Sequence, residues 1–300
     1  MPTSTSHTGR ARHLGARALA TALAAALLLT ACGDDGDDQG DATASSTTAE
    51  MTSTTAAPST SEPAEDAQPV GVFFVRGEDV AVARGEAQAP EVARGAIEAL
   101  LAGPGDDATG MTSEIPEGTE LLDLAVQDGR AVVDLSGEFV EGGGSLSMQL
   151  RAAQVVFTLT QFDTVESVTF RIDGAEVDGL GGEGIPASDV DRSDFTDVTP
   201  LVLVTSPLPG ERVDGTSVQV SGMSNTFEAN VLYEVQGPDG EVLDEGFTTA
   251  TAGTGTWGEF SFEASWAAGP TGEAMLVVYQ ENMESGGRQD VYEVPLQLGA

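Results

Sequence analysis

The chain has 300 residues, 49 of them acidic and 12 basic, for a net charge of −37. All 12 basic residues are arginine, and the single cysteine and both histidines fall within the first 32 residues. A charge this negative repels nucleic-acid phosphate and anionic lipid headgroups, which excludes DNA or RNA binding through an electrostatic face.

At the N-terminus, Arg10, Arg12 and Arg17 precede an uncharged apolar run from Ala18 to Leu29. That run falls short of the ~20 apolar residues a membrane-spanning helix needs. Basic residues followed by a short apolar run mark a secretory signal. The run ends in Leu29-Thr30-Ala31-Cys32, which resembles the bacterial lipobox. Residues 1–31 are therefore expected to be a lipoprotein signal peptide, with Cys32 the lipidation site. Two or more acyl chains, palmitate among them, anchor a protein stably where one is marginal.

Cleavage would leave nine arginines against all 49 acidic residues, with no histidine, lysine or free thiol. A Ser-His-Asp triad or a Cys-His pair is then excluded, as are a Schiff-base lysine and zinc or copper held by histidine and cysteine. Carboxylate chemistry remains, either as a glycosidase-like acid pair or as calcium on oxygen ligands.

Residues 32–68 are rich in Asp, Ser, Thr, Ala, Glu and Pro and offer little to bury, so a disordered tether is expected. The run Asp34-Asp35-Gly36-Asp37-Asp38 invites a calcium reading. An EF-hand loop starting at Asp35 would put Gln39 at position five and Ser46 at position twelve, where a bidentate Glu is required. A solvated tether fits better.

Residues 69–182 read as an α+β domain. Val70–Val75 is a strand, and Pro90 and Glu91 open a helix whose apolar face is Val92, Ala96, Ile97, Leu100 and Leu101. Leu121–Gln127 and Arg130–Ser136 flank Asp128-Gly129, a two-residue hairpin signal. A second helix from Leu146 to Thr160 presents Leu146, Leu150, Ala153 and Phe157, and Val165–Ile172 is a strand ending in Asp173-Gly174. The expected order is βαββαβ, with two helices on a small sheet.

These residues also resemble a known family. The hairpin from Val126 to Ser136, with Phe139 after it, is similar to the GerMN domain of sporulation and spore-germination proteins. So is Thr158-Leu159-Thr160-Gln161-Phe162 followed by Val165 and Val168, and so are Leu100-Leu101-Ala102-Gly103-Pro104 and Ser113-Glu114-Ile115-Pro116 upstream. The resemblance implies a place among sporulation, germination or actinobacterial envelope lipoproteins. It also implies a part in assembling envelope complexes, and it brings no catalytic residues.

Residues 183–199 read as a Gly-, Asp- and Ser-rich linker. Asp189, Asp191, Ser193 and Asp194 could gather round a cation, but the turn glycine is missing and Pro200 stands where a Glu ligand is needed. Residues 200–300 read as an all-β immunoglobulin-like sandwich of about seven short strands. Its turn signals are Pro209-Gly210, Asp214-Gly215, Asp239-Gly240 and Gly269-Pro270. Ser206-Pro207, Val220-Ser221-Gly222, Phe227-Glu228-Ala229 and Gly258-Glu259-Phe260 make this segment similar to the immunoglobulin-like module associated with bacterial spore germination. Trp257, Trp266 and Tyr279 are candidates for an aromatic sugar platform, and Phe227 with Glu228 for a recognition edge; core packing is the commoner fate of such aromatics.

Taken with what the resemblance implies, a lipid-anchored, extracytoplasmic, non-catalytic interaction or scaffold module of the cell envelope is expected, with a link to sporulation or spore germination. Its expected partners are the membrane, through the lipid anchor, and an envelope protein or wall polymer. No cofactor, metal or catalytic residue is expected. Two other readings stay open: an accessory subunit of a membrane sensor or transporter, and a carboxylate-dependent wall-glycan hydrolase.

Overall fold

The computed structural model describes residues 67–182, 184–267 and 269–299. The expected signal peptide, Cys32, the Asp34–Asp38 run and the tether as far as residue 66 lie outside these residues. The described chain is mixed α+β, mostly strands with two α-helices.

The first lobe opens with a hairpin of β1 (Ala67–Arg76) and β2 (Asp79–Gln88), paired antiparallel from Ala67↔Gln88 to Arg76↔Asp79. The expected order had no second strand here; with it, and with a short strand Ala175–Glu176 after the last one expected, βαββαβ is corrected to ββαββαββ in the paired sheets of this lobe. The reason is physical: Val80 to Ala83 are all buried, which erases the period-two alternation of a half-buried strand, and the alanines and Gly85 carry little strand preference. Helix α1 (Val92–Leu101) buries Ala96, Ile97 and Leu100. A side chain at Gly95 would meet the Ala87 Cβ at 2.8 Å, so glycine sets how closely α1 lies on β2.

β3 (Leu121–Gln127) and β4 (Gly129–Leu135) form the expected hairpin, with Asp128 at φ 53° and Gly129 at φ 81°. Both values suit the primed turn that matches strand twist. Helix α2 (Ser145–Leu159) then crosses to β5 (Val165–Ile172), which pairs parallel with β4 and turns back into β6 (Ala175–Glu176). The sheet order is β3-β4-β5-β6, with β3 at the edge.

Helix α2 is the centre of this lobe. Residues Leu150 to Leu159 are all buried, whereas Leu146, expected on the apolar face, is 43% exposed. Its polar side chains complete the outer edge of β1. The Phe73 N–H donates to Thr158 Oγ1 (3.0 Å), and Gln154 Nε2 donates to the Phe73 carbonyl (3.3 Å). Just past the helix, Gln161 takes both backbone groups of Gly71, accepting from its N–H (2.8 Å) and donating to its carbonyl (2.6 Å). Val75 exchanges both bonds with Thr112. A strand edge that would otherwise lie buried and unpaired is satisfied by side chains.

The stretch 184–199 is structured. β7 (Gly179–Leu180) pairs with β8 (Ile185–Pro186), and a 3-10 helix spans Arg192–Val198 with Phe195 and Val198 buried. Its acidic residues act as caps. Asp191 accepts from the Ser193 N–H (2.7 Å), and Asp194 accepts from the Asp191 N–H (2.9 Å), a capping box.

The second lobe is a sandwich. One sheet has the order β10-β16-β15-β12-β13, built from β10 (Glu211–Val213), β12 (Asn230–Gln236), β13 (Val242–Thr249), β15 (Gly272–Glu281) and β16 (Arg288–Leu298). The other has the order β14-β11-β9, built from β9 (Val202–Ser206), β11 (Ser217–Ser224) and β14 (Gly258–Ser265). The seven expected strands are present, and β10 adds a short parallel partner to β16. Between the lobes the core is continuous, and all described residues fall in a single compact unit. Tyr292 of β16 is buried there, its Oη accepting from the Val82 N–H of β2 at 3.1 Å.

Candidate functional site

A groove of about 740 Å³ lies between the 3-10 helix Arg192–Val198 and the β9-β11-β14 sheet. Its size is that of a small-ligand site. Serine and threonine side chains dominate the lining, including Ser193, Thr196, Ser221 and Ser261, with Trp257 and Glu259 beside them. Some hydroxyls are already engaged: Thr199 Oγ1 donates to the Phe195 carbonyl (2.8 Å), and Thr251 Oγ1 accepts from the Glu259 N–H (2.9 Å).

Arg192 is the one cation lining this groove. Its Nε donates to Thr160 Oγ1 (2.8 Å) and its Nη2 to the Phe157 carbonyl (3.2 Å). Its Cζ stands 4.9 Å from the Phe157 ring centroid and 5.6 Å from that of Phe73, a cation–π seat. Burial pulls the guanidinium down to about 10, and Glu259 opposes the shift. It therefore stays charged at neutral pH. The groove offers a fixed planar cation, a carboxylate, an indole and many hydroxyls. That set can hold a polar ligand by hydrogen bonds and stacking. A two-carboxylate hydrolysis needs a second acid, and Glu259 is the only acid in the lining.

The other candidates disperse. Asp189 pairs with Arg130 at 2.5 Å, while Asp191 and Asp194 cap the 3-10 helix. Among the described residues no three Asp, Glu, His or Cys side chains gather as a metal site. The expected aromatic platform does not assemble as one surface. Trp257 lines the groove, Trp266 is buried, and Tyr279 lies under Arg288, whose Cζ is 5.1 Å from its ring centroid. Phe227 is 49% exposed, and the Glu228 N–H donates to Thr254 Oγ1 (2.9 Å). Among the described residues two carboxyls shift. Asp79, at the start of β2, is raised by burial and then by Glu78, and Glu138 is lowered by the Ser136 hydroxyl and then its own backbone N–H. They lie on different segments and form no acid–base pair.

Family comparison divides the chain as the fold does. Residues 64–178 match the Germane family model, described as sporulation and spore germination. Residues 201–287 match the Gmad2 model, the immunoglobulin-like domain of bacterial spore germination. The chain carries both domains. The first GerMN domain of the sporulation protein GerM from Bacillus subtilis is 24% identical over 42% of this chain and 98% of its own, with a TM-score of 0.35. A lipoprotein from Clostridium perfringens, named as putative, is 20% identical over 46% of this chain and 98% of its own, with a TM-score of 0.34. The tandem GerMN domains of Bacillus subtilis GerM are 18% identical over 77% of this chain and 60% of their own, with a TM-score of 0.39. No curated protein matches.

The groove flanks the Gmad2 domain, and its arginine rests on two phenylalanines of the Germane domain. Sequence reading singled out Trp257 and the Gly258-Glu259-Phe260 motif, but not Arg192 or Thr196. The 3-10 helix that carries both is far in the chain from the sheet strands and the phenylalanines it meets, and only the apolar anchors Phe195 and Val198 signal that the acidic stretch folds back.

Proposed function

We propose that the protein is a lipid-anchored, extracytoplasmic interaction module that serves the envelope in sporulation or spore germination without catalysing a reaction. The observation that carries this reading is the pair of germination-associated domains on one chain. The groove adds support, since its lining suits holding a polar ligand more than cleaving one. The leader ending in Leu29-Thr30-Ala31-Cys32 supports the anchor. No described helix is long and apolar enough to cross a membrane, so attachment through described helices is not part of the reading.

Crosslinking in intact cells, followed by identification of the captured species, tests the module. The crosslinker must address carboxylates, because the chain has no lysine. A specific envelope protein or wall polymer is expected. Purified chain incubated with peptidoglycan and soluble glycans should release no reducing ends. Turnover lost on a single Asp or Glu substitution, with the fold intact, would overturn the non-catalytic reading.

A further inference from the structure

We propose that β3 is a docking edge that accepts an extended, cationic segment of a partner protein as an added strand. This inference rests on the interaction-module reading and names the partner's chemistry. β3 ends the β3-β4-β5-β6 sheet. The Asp128-Gly129 turn closes on the pair Gln127↔Arg130, so alternate residues Leu124 and Val126 turn their N–H and C=O groups away from β4. Of the two outward amides, Leu124's donates to the carboxylate of Asp123 (2.9 Å).

The fold treats its strand edges unequally. Gln154, Thr158, Gln161 and Thr112 seal the edge of β1, and Tyr292 meets β2. At β3, Leu122 and Val126 are instead 47% and 40% exposed. Globular proteins blunt such edges with charges, proline, bulges or a cover; β3 has Asp123 and a register shift between Leu121 and Asp123 at its start, but from Leu124 to Gln127 it has neither charge, proline nor bulge.

Beside this edge runs a groove of about 320 Å³ in which Leu124, Val126, Val92 and Phe162 supply an apolar wall and Glu91 and Arg94 a charged one. Alternate side chains of an added strand would point into it, which is the pattern of strand-addition recognition. Charge decides the occupant. Glu91, Glu120, Asp123 and Asp128 surround the edge as exposed carboxylates. The nearby cations are engaged, Arg94 with Asp123 (3.4 Å) and Arg130 with Asp189 (2.5 Å). A second copy brings its own charge of −37 and is repelled. A strand alternating apolar with lysine or arginine residues is complementary.

The test uses the full chain in detergent and a capped peptide, Lys-Val-Lys-Val-Lys-Val-Lys, with a control in which proline replaces each valine. The expected result is binding of the first peptide, with hydrogen-exchange protection at residues 121–127, and at least about tenfold weaker binding of the control. Val126→Lys and Val126→Pro should each weaken binding about tenfold or more at unchanged thermal stability, because the Val126 amide is outside the β3–β4 ladder. If the proline variant fails to fold, the lysine variant decides. Equal binding of both peptides means diffuse charge attraction and overturns the proposal, as does absent protection. A self-association of the chain that Val126→Lys abolishes overturns it too, because the occupant is then a second copy. Crosslinked capture of an envelope protein that survives Val126→Lys removes this edge and leaves the module reading standing. Absence of any specific capture by the unsubstituted chain removes the module reading.

Discussion

Replacing Thr158 with valine is expected to destabilise the Germane domain while hardly changing its shape. The two side chains are nearly isosteric, and Thr158 has 0% exposure. What is lost is the acceptor for the Phe73 N–H, 3.0 Å away in a fully buried setting. Water has no access to replace it, so the penalty is that of an unsatisfied buried donor, about 1–3 kcal/mol. In a folded unit of this size that lowers the melting temperature by roughly 2–4 °C per kcal/mol. Gln161→Leu removes two bonds to Gly71 but should cost less, about 0.5–1.5 kcal/mol, because that site is partly open to solvent. Urea unfolding of the full chain, read by the midpoint at constant slope, gives both values. A Thr158→Val loss below about 0.5 kcal/mol would refute the idea that side chains of α2 stand in for a neighbouring strand, as would a Gln161→Leu loss exceeding it.

Gly222→Ala should destabilise the Gmad2 domain by about 3 kcal/mol or more, since a Cβ there would lie 2.1 Å from the Leu203 carbonyl oxygen; thermal unfolding measures it. Tyr292 titrates above the usual 10.0 because burial opposes the phenolate, with Val82 and Arg76 opposing that rise. The unfolded chain therefore loses this proton first, and stability falls as pH rises beyond about 10. Tyr292→Phe should flatten that fall in urea titrations from about pH 9 to about pH 11, at a cost of about 1–3 kcal/mol at neutral pH for the orphaned Val82 N–H. Cys32→Ser should abolish acylation and detergent partitioning, checked by mass spectrometry of the N-terminal fragment. An unmodified Cys32 in membrane-bound chain would end the lipoprotein proposal.

The fold was legible where local chemistry alone dictates it. Asp128-Gly129 and Asp173-Gly174 supply the positive φ that tight turns demand, and the apolar period of α1 names the buried Ala96, Ile97 and Leu100 correctly. It was illegible where a residue's role depends on a distant partner. Nothing local assigns a partner to the polar side chains of Gln154, Thr158 and Gln161, yet they face β1. Strand β2 hides because burial on both faces leaves no alternation. The acids at 189–194 look like linker or cation ligands until their capping bonds are seen. For the groove, Trp257 and Glu259 could be singled out in advance. The arginine that completes it could not, since nothing near residue 192 in sequence announces the Phe73 and Phe157 rings beneath it.

The joint between the domains has the chemistry of an interior. Phe195, Val198 and Tyr292 bury themselves there, and a phenol on one domain satisfies a backbone amide on the other. Anything gripping the Gmad2 groove and anything paired along the Germane edge is then carried on one body. A ligand long enough to reach both meets its second contact at an effective concentration fixed by geometry instead of diffusion, so two individually weak grips multiply. The same coupling runs outward: a pull on one domain reaches the other through packed side chains without first extending a slack connector.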